Sequence, residues 1–144
     1  MKPRIALLVV LLSMLSQAQT ANTVDPGHYL EPADLVKLLP QKPLILNVGP
    51  QVLYAQAHIP GAVYVGMTYE PAGIASLRAH VQKTPKSKFI VLYCGCCPWT
   101  HCPNIAPAYN ELKSLGFTNV KVLYIAQNIG LDWVSKGYPV ERGQ

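Results

Sequence analysis

Cysteine is missing from every part of this chain but one: all four lie between Cys94 and Cys102. Structural disulfides usually join distant segments, because closing a long loop constrains the unfolded chain more. Four thiols in one short loop staple almost nothing, which argues for a functional cluster. No apolar run reaches the roughly 20 residues that a bilayer-spanning helix needs. Ile5 to Leu15 is shorter and is broken by Ser13. No cysteine stands near residue 18, which disfavours a lipid-anchored form. Internal repeats and low-complexity tracts are absent, which sets aside solenoids and disordered arrays. Basic residues are scattered. Lys83, Lys86 and Lys88 form the one cluster and flank a turn at Pro85. A solvated loop explains them better than a nucleic-acid surface does.

What is present begins with an export pattern. Lys2 and Arg4 precede the apolar run, and Ser16-Gln17-Ala18 follows it as a small-x-small cleavage site. This predicts a signal peptide over residues 1–18, with an uncleaved anchor as the alternative. Residues 19–30 are polar with Pro and Gly and predict a flexible lead-in. Residues 31–142 then form one domain, since 144 residues suffice for one core and not two. The mature protein is expected to be exported, periplasmic in a bacterium and secreted otherwise. It is expected to keep no stable membrane association. An oxidising compartment lets the cysteines pair in several ways that sequence does not distinguish.

Strand-like and helix-like stretches alternate along the domain. The pattern predicts helices over 31–39, 73–83, 105–115 and 131–136, with one helical turn near 54–58. Short apolar runs predict strands over 44–48, 62–65, 89–93 and 120–124. Apolar central strands alternating with helices imply an α/β fold, a mostly parallel sheet with helices on both faces. Ligands of such sheets bind beyond the C-terminal ends of the strands. Cys94 lies there, after Phe89-Ile90-Val91-Leu92-Tyr93 and before the helix at Ile105. A thiol between a strand tip and a helix start is placed to ionise, because free backbone N–H groups stabilise a thiolate. Asn104 is expected to cap that helix.

Four segments carry a family resemblance. Leu44-Ile45-Leu46-Asn47-Val48 resembles a "LIDVR" strand. Ala57-His58-Ile59-Pro60-Gly61-Ala62-Val63 resembles a "GHIPGA" turn. Val91-Leu92-Tyr93-Cys94 resembles a strand that delivers a catalytic cysteine. Leu115-Gly116-Phe117-Thr118-Asn119-Val120, with the stretch from Trp133 to Val140, resembles the corresponding ending. Together they resemble a single-domain rhodanese, a sulfurtransferase-type module. The resemblance runs from about Pro32 to Glu141. It implies that Cys94 takes a sulfane sulfur from thiosulfate or a persulfide, becomes a persulfide itself, and passes the sulfur to a thiophilic acceptor. Loop N–H groups then cradle the anionic sulfur.

The chain departs from that family at several places. Many members carry C-x-x-G-x-R. Here the fifth residue after Cys94 is Trp99, and the loop has no arginine. Asn47 and Gly49 stand where Asp and Arg are usual. Phosphatase relatives need the loop arginine to hold phosphate, so that chemistry is discounted.

The active-site loop is therefore expected to comprise Gly95, Cys96, Cys97, Pro98, Trp99, Thr100, His101 and Cys102, with Cys94 as nucleophile. Cys96, Cys97 and Cys102 are candidates for resolving or relay roles, against structural pairing. Cys94 and Cys97 also form a C-x-x-C, so a dithiol oxidoreductase on the same fold is the alternative function. A non-catalytic metal- or partner-binding module is the third. Soft thiols suit zinc or cuprous copper, but structural zinc sites draw their ligand pairs from separated segments, and no metal is expected. His101 is a candidate to stabilise the thiolate, Trp99 either to shield it or to anchor the loop. His58 reads as structural. No organic cofactor is implied. The expected partners are a small sulfur compound or thiol and a thiol reductase.

Overall fold

The computed structural model describes residues 24–144. The signal peptide expected over 1–18 lies outside the described residues. The elements are β1 (Tyr29–Leu30), α1 (Pro32–Leu38), β2 (Leu44–Asn47), α2 (Gln51–Gln56), β3 (Val63–Tyr64), α3 (Pro71–Val81), β4 (Ile90–Tyr93), α4 (Ile105–Ser114), β5 (Val120–Leu123) and α5 (Ile129–Asp132). The five strands form one sheet in the order β1-β5-β4-β2-β3. Every pairing is parallel, with Leu46 beside Leu92 and Leu92 beside Val122.

The period-two alternation of a strand divides its side chains between two cores. Leu46, Ile90, Leu92 and Val122 pack with Leu77 and Val81 of α3 and with Ile105, Ala108 and Leu112 of α4. Ile45, Val91, Tyr93 and Leu123 pack with Leu35 of α1, Tyr54 of α2 and Ile129 of α5. Trp133, just after α5, is fully buried on that second side, and its Nε1–H donates to the Pro139 carbonyl at 2.7 Å. Each such large apolar side chain contributes on the order of 2 kcal/mol or more on burial. Helices therefore cover both faces of a wholly parallel sheet.

Two elements differ from expectation. Residues from Val24 onward already belong to the folded unit within the span expected as lead-in. Val24 is buried, and β1 pairs with the edge of β5. The helix expected over 131–136 is instead a short α-helix from Ile129 followed by a 3-10 turn over Val134–Lys136. Asn128 starts it early by accepting the Leu131 N–H at 2.9 Å, the geometry of an N-cap. Gly116 ends α4 at φ 87°, a left-handed conformation open to glycine.

Candidate active site

The site grows from the end of β4. Cys94 is 4% exposed. Gly95 follows at φ 82° and turns the chain sharply. Its carbonyl accepts the Ile129 N–H at 2.9 Å, and a Cβ there would stand 3.0 Å from the Ile129 Cβ. The start of α5 thus rests on the loop. Trp99 to His101 form a 3-10 turn after Pro98. The Trp99 N–H donates to the Ile125 carbonyl at 3.0 Å. Its ring meets Tyr29 at 4.5 Å and Tyr124 at 6.2 Å between centroids. Trp99 thereby anchors the loop beside β1 and β5. The return of the chain delivers Cys102 to the same spot as Cys94, just ahead of α4.

The sulfurs form a connected cluster. Cys94 Sγ lies 3.3 Å from Cys96 Sγ, and Cys96 Sγ lies 2.8 Å from Cys97 Sγ. The Sγ atoms of Cys94, Cys96 and Cys102 all lie within 4.8 Å of one another. All four cysteines are free thiols. Cys94 and Cys102 share a hydrogen bond, and this bond is the largest influence on both. It holds Cys102 below the ordinary thiol range, helped by the backbone N–H groups of Asn104 and Ile105 at the start of α4. The same bond, then burial, pushes the Cys94 thiol up. Burial first, then contact with Cys96, pushes Cys97 up to about 12. One proton is therefore shared across Cys94 and Cys102. The contacts favour the proton on Cys94, because Cys102 meets the Asn104 and Ile105 N–H groups whereas Cys94 meets that of Cys96. The sequence placed the helix-stabilised thiolate at Cys94; the chain reversal gives that position to Cys102.

Two asparagines hold the nucleophile candidate in place. Asn104 is 2% exposed and forms no side-chain cap on α4. Its Nδ2–H donates to Cys94 Sγ at 3.5 Å, and its Oδ1 accepts the Tyr69 N–H at 3.1 Å. Thr68 Oγ1–H donates to the Asn104 carbonyl at 2.6 Å. The expected capping role gives way because the buried amide finds stronger demands across the site. Asn47 Nδ2–H donates to the Cys94 carbonyl at 3.5 Å, and Asn47 Oδ1 accepts the Gly49 N–H at 3.1 Å. A Cβ at Gly49 would stand 2.2 Å from the Cys94 carbonyl oxygen. The position that the resemblance associates with arginine has no room for any side chain.

The remaining candidates engage partners other than the sulfurs. His58 is buried, stacks on Tyr54 at 3.9 Å, and engages the Tyr54 carbonyl through Nδ1 at 2.8 Å. It joins the turn before β3 to the chain end through paired backbone bonds with Glu141. Thr100 and His101 are exposed and hydrogen-bond to each other at 3.0 Å.

The profile of the rhodanese-like domain matches residues 31–124. The chain belongs to the rhodanese-like family. The comparison with curated proteins returned no match. Among solved structures, the BH2092 protein from Bacillus halodurans superposes with a TM-score of 0.61 at 23% identity, over 80% of this chain and 77% of that one. Thiosulfate sulfurtransferase from Pseudomonas aeruginosa gives 0.59 at 20% identity, over 81% of this chain and 20% of that one. A persulfide form of EanB with ergothioneine gives 0.62 at 20% identity, over 79% and 28%. At these identities the likeness is one of fold. In the last two, this chain corresponds to one part of a much longer protein.

A cleft of about 370 Å³ opens beside the cysteine loop, lined among others by Leu53, Gln56, Gly95, Cys96, Ile129 and Arg142. The three clustered sulfurs have the soft-donor character and spacing to hold a thiophilic metal ion. Among the described residues, no helix is long and apolar enough to cross a membrane.

Proposed function

We propose that this protein is an exported sulfurtransferase that carries sulfane sulfur as a persulfide on Cys94. The observation that carries the reading is the place of Cys94 just after β4, with the sulfurs of Cys96 and Cys102 within 4.8 Å of its own. A neutral thiol is a poor nucleophile, and a thiolate in contact is a base for it. As the Cys94 sulfur attacks the sulfane sulfur of the donor, its proton passes to Cys102. A new S–S bond forms at Cys94 while the donor's S–S bond breaks. Sulfite, or the donor's thiolate, leaves with the bonding electrons. Asn104 Nδ2–H is placed to donate to the sulfur of Cys94 as charge builds there.

Two discharges follow chemically. An acceptor thiolate attacks the outer sulfur and leaves Cys94 as thiolate, with no net oxidation. Alternatively Cys96, at 3.3 Å, attacks the inner sulfur. That releases hydrosulfide and leaves a Cys94–Cys96 disulfide, which an external dithiol must reduce. The second discharge defines the thiol reductase partner. The same 3.3 Å distance favours Cys94 with Cys96, not Cys97, for the alternative dithiol oxidoreductase reading. Export rests on Lys2, Arg4 and the Ser16-Gln17-Ala18 site; protein found only inside the cytoplasm, with residues 1–18 still attached, would refute it.

The direct test is intact mass of the reduced protein after thiosulfate or glutathione persulfide. A gain of one sulfur (about 32 Da) in the wild type and none in Cys94→Ser supports the reading. Loss of two hydrogens without sulfur uptake would replace it with dithiol redox chemistry.

A further inference from the structure

We infer that the cleft beside the cysteine loop is an anion-binding approach to Cys94, and that Arg142 is the residue that holds the donor's charge there. The inference rests on the sulfurtransferase reading and assigns recognition of its anionic donor to a residue outside the cysteine loop.

Cys94 is buried, so a donor reaches it by way of its neighbours. Gly95 and Cys96, the next two residues, both line the cleft, and Cys96 Sγ touches Cys94 Sγ. The loop supplies no cation. Trp99, where the family pattern has arginine, is tied to Tyr29 and Tyr124 instead. The Gly49 position is closed by the Cys94 carbonyl. Arg142 lines the same cleft from a segment far away in sequence.

That segment is fixed in place. Glu141 exchanges backbone bonds with His58, and the Gly143 N–H donates to the Ala55 carbonyl at 2.9 Å. Arg142 Nη1–H donates to the Gln56 carbonyl at 2.5 Å, which steers the guanidinium to the end of α2. Arg142 makes no ion pair among the described residues. Glu141, its neighbour, is turned to the Gly61 N–H at 3.1 Å and to His58. An always-charged guanidinium without a carboxylate, at the side of a cleft that reaches a thiol cluster, is matched to an oxyanion.

The test reads the cleft's charge without relying on turnover. The reduced protein is alkylated with iodoacetate and, separately, with neutral iodoacetamide, and the rates at Cys96 are compared by peptide mapping. Arg142→Gln is expected to lower the iodoacetate-to-iodoacetamide ratio by about threefold or more, the scale of one nearby charge in partly screened surroundings. The iodoacetamide rate itself stays level, which reports an intact loop. Sulfate, an oxyanion that neither reacts with iodoacetate nor carries a sulfane sulfur, should slow iodoacetate in the wild type and do so less in the variant. A ratio unchanged by Arg142→Gln, or equal protection in both proteins, would overturn the inference. Sulfur uptake at Cys94 with an unchanged ratio would remove Arg142 and leave the sulfurtransferase reading standing. An Arg142-dependent ratio without sulfur uptake would keep the anion site and remove that reading.

Discussion

At the scale of single residues, the site depends on groups whose roles are fixed by contacts across the fold. Asn104 illustrates this. A sequence with asparagine just before a helix reads as an N-cap, and that reading is locally sound. The structure turns the amide to Tyr69 and Cys94 instead. Both partners are distant in sequence or lie across a loop, so no local pattern announces them. Asn104→Ala is expected to cost about 0.5–1.5 kcal/mol of stability in urea unfolding, because it removes the hydrogen bond of a buried amide to the Tyr69 N–H. It should also slow sulfur uptake. Unaltered stability would show that the amide does not satisfy that donor. Gly49 was visible in the sequence as a missing arginine. That the site physically excludes a side chain there required the position of the Cys94 carbonyl. The place of Cys94 at the end of a central strand was legible, since the short apolar run before it reads as that strand.

At the scale of elements, the central strands and longer helices follow from pattern. Ile90 to Tyr93 is a short apolar run, and such a run, covered on both faces, is what a central parallel strand requires. The edge strand β1 was not legible, because two residues carry no period. Its presence depends on β5 offering a free edge. The cysteine loop was located correctly, but its internal geometry was not. The reversal that brings Cys102 to Cys94 uses Pro98 and a 3-10 turn held from outside by Trp99. That hold gives a prediction. Trp99→Ala removes two aromatic contacts, each worth about 0.5–1.5 kcal/mol. Alkylation of Cys96 and Cys97 should accelerate by about threefold to tenfold, with global stability lowered far less than a core deletion would lower it. Unchanged alkylation rates would show that the loop is held by its other bonds.

At the scale of the whole molecule, the thiol pair links stability to pH. The folded state holds Cys102 below its unfolded value and Cys94 above it. For Cys102 the contribution is present above the unfolded value and is lost as pH falls through the folded one. For Cys94 the contribution is present below the unfolded value and is lost as pH rises through the folded one. Both unfolded thiols titrate at about 8.5. The reduced protein's stability, as the difference from Cys102→Ser, should therefore rise with pH through neutrality towards that value and level off there, because burial keeps Cys94 raised in both proteins. Urea unfolding across pH 5 to 10, under reducing conditions, reads this directly. A flat difference would show that the two thiols do not share a proton.

The measurement that bears most directly on the central claim is the rate of persulfide formation on Cys94, followed by mass against pH in the wild type and in Cys102→Ser. If Cys102 takes the proton from Cys94, the wild-type rate holds steady well below the ordinary thiol range. The variant's rate then falls about tenfold for each pH unit below about 8.5. Coincident profiles in the two proteins, or sulfur that settles on another cysteine, would contradict the account.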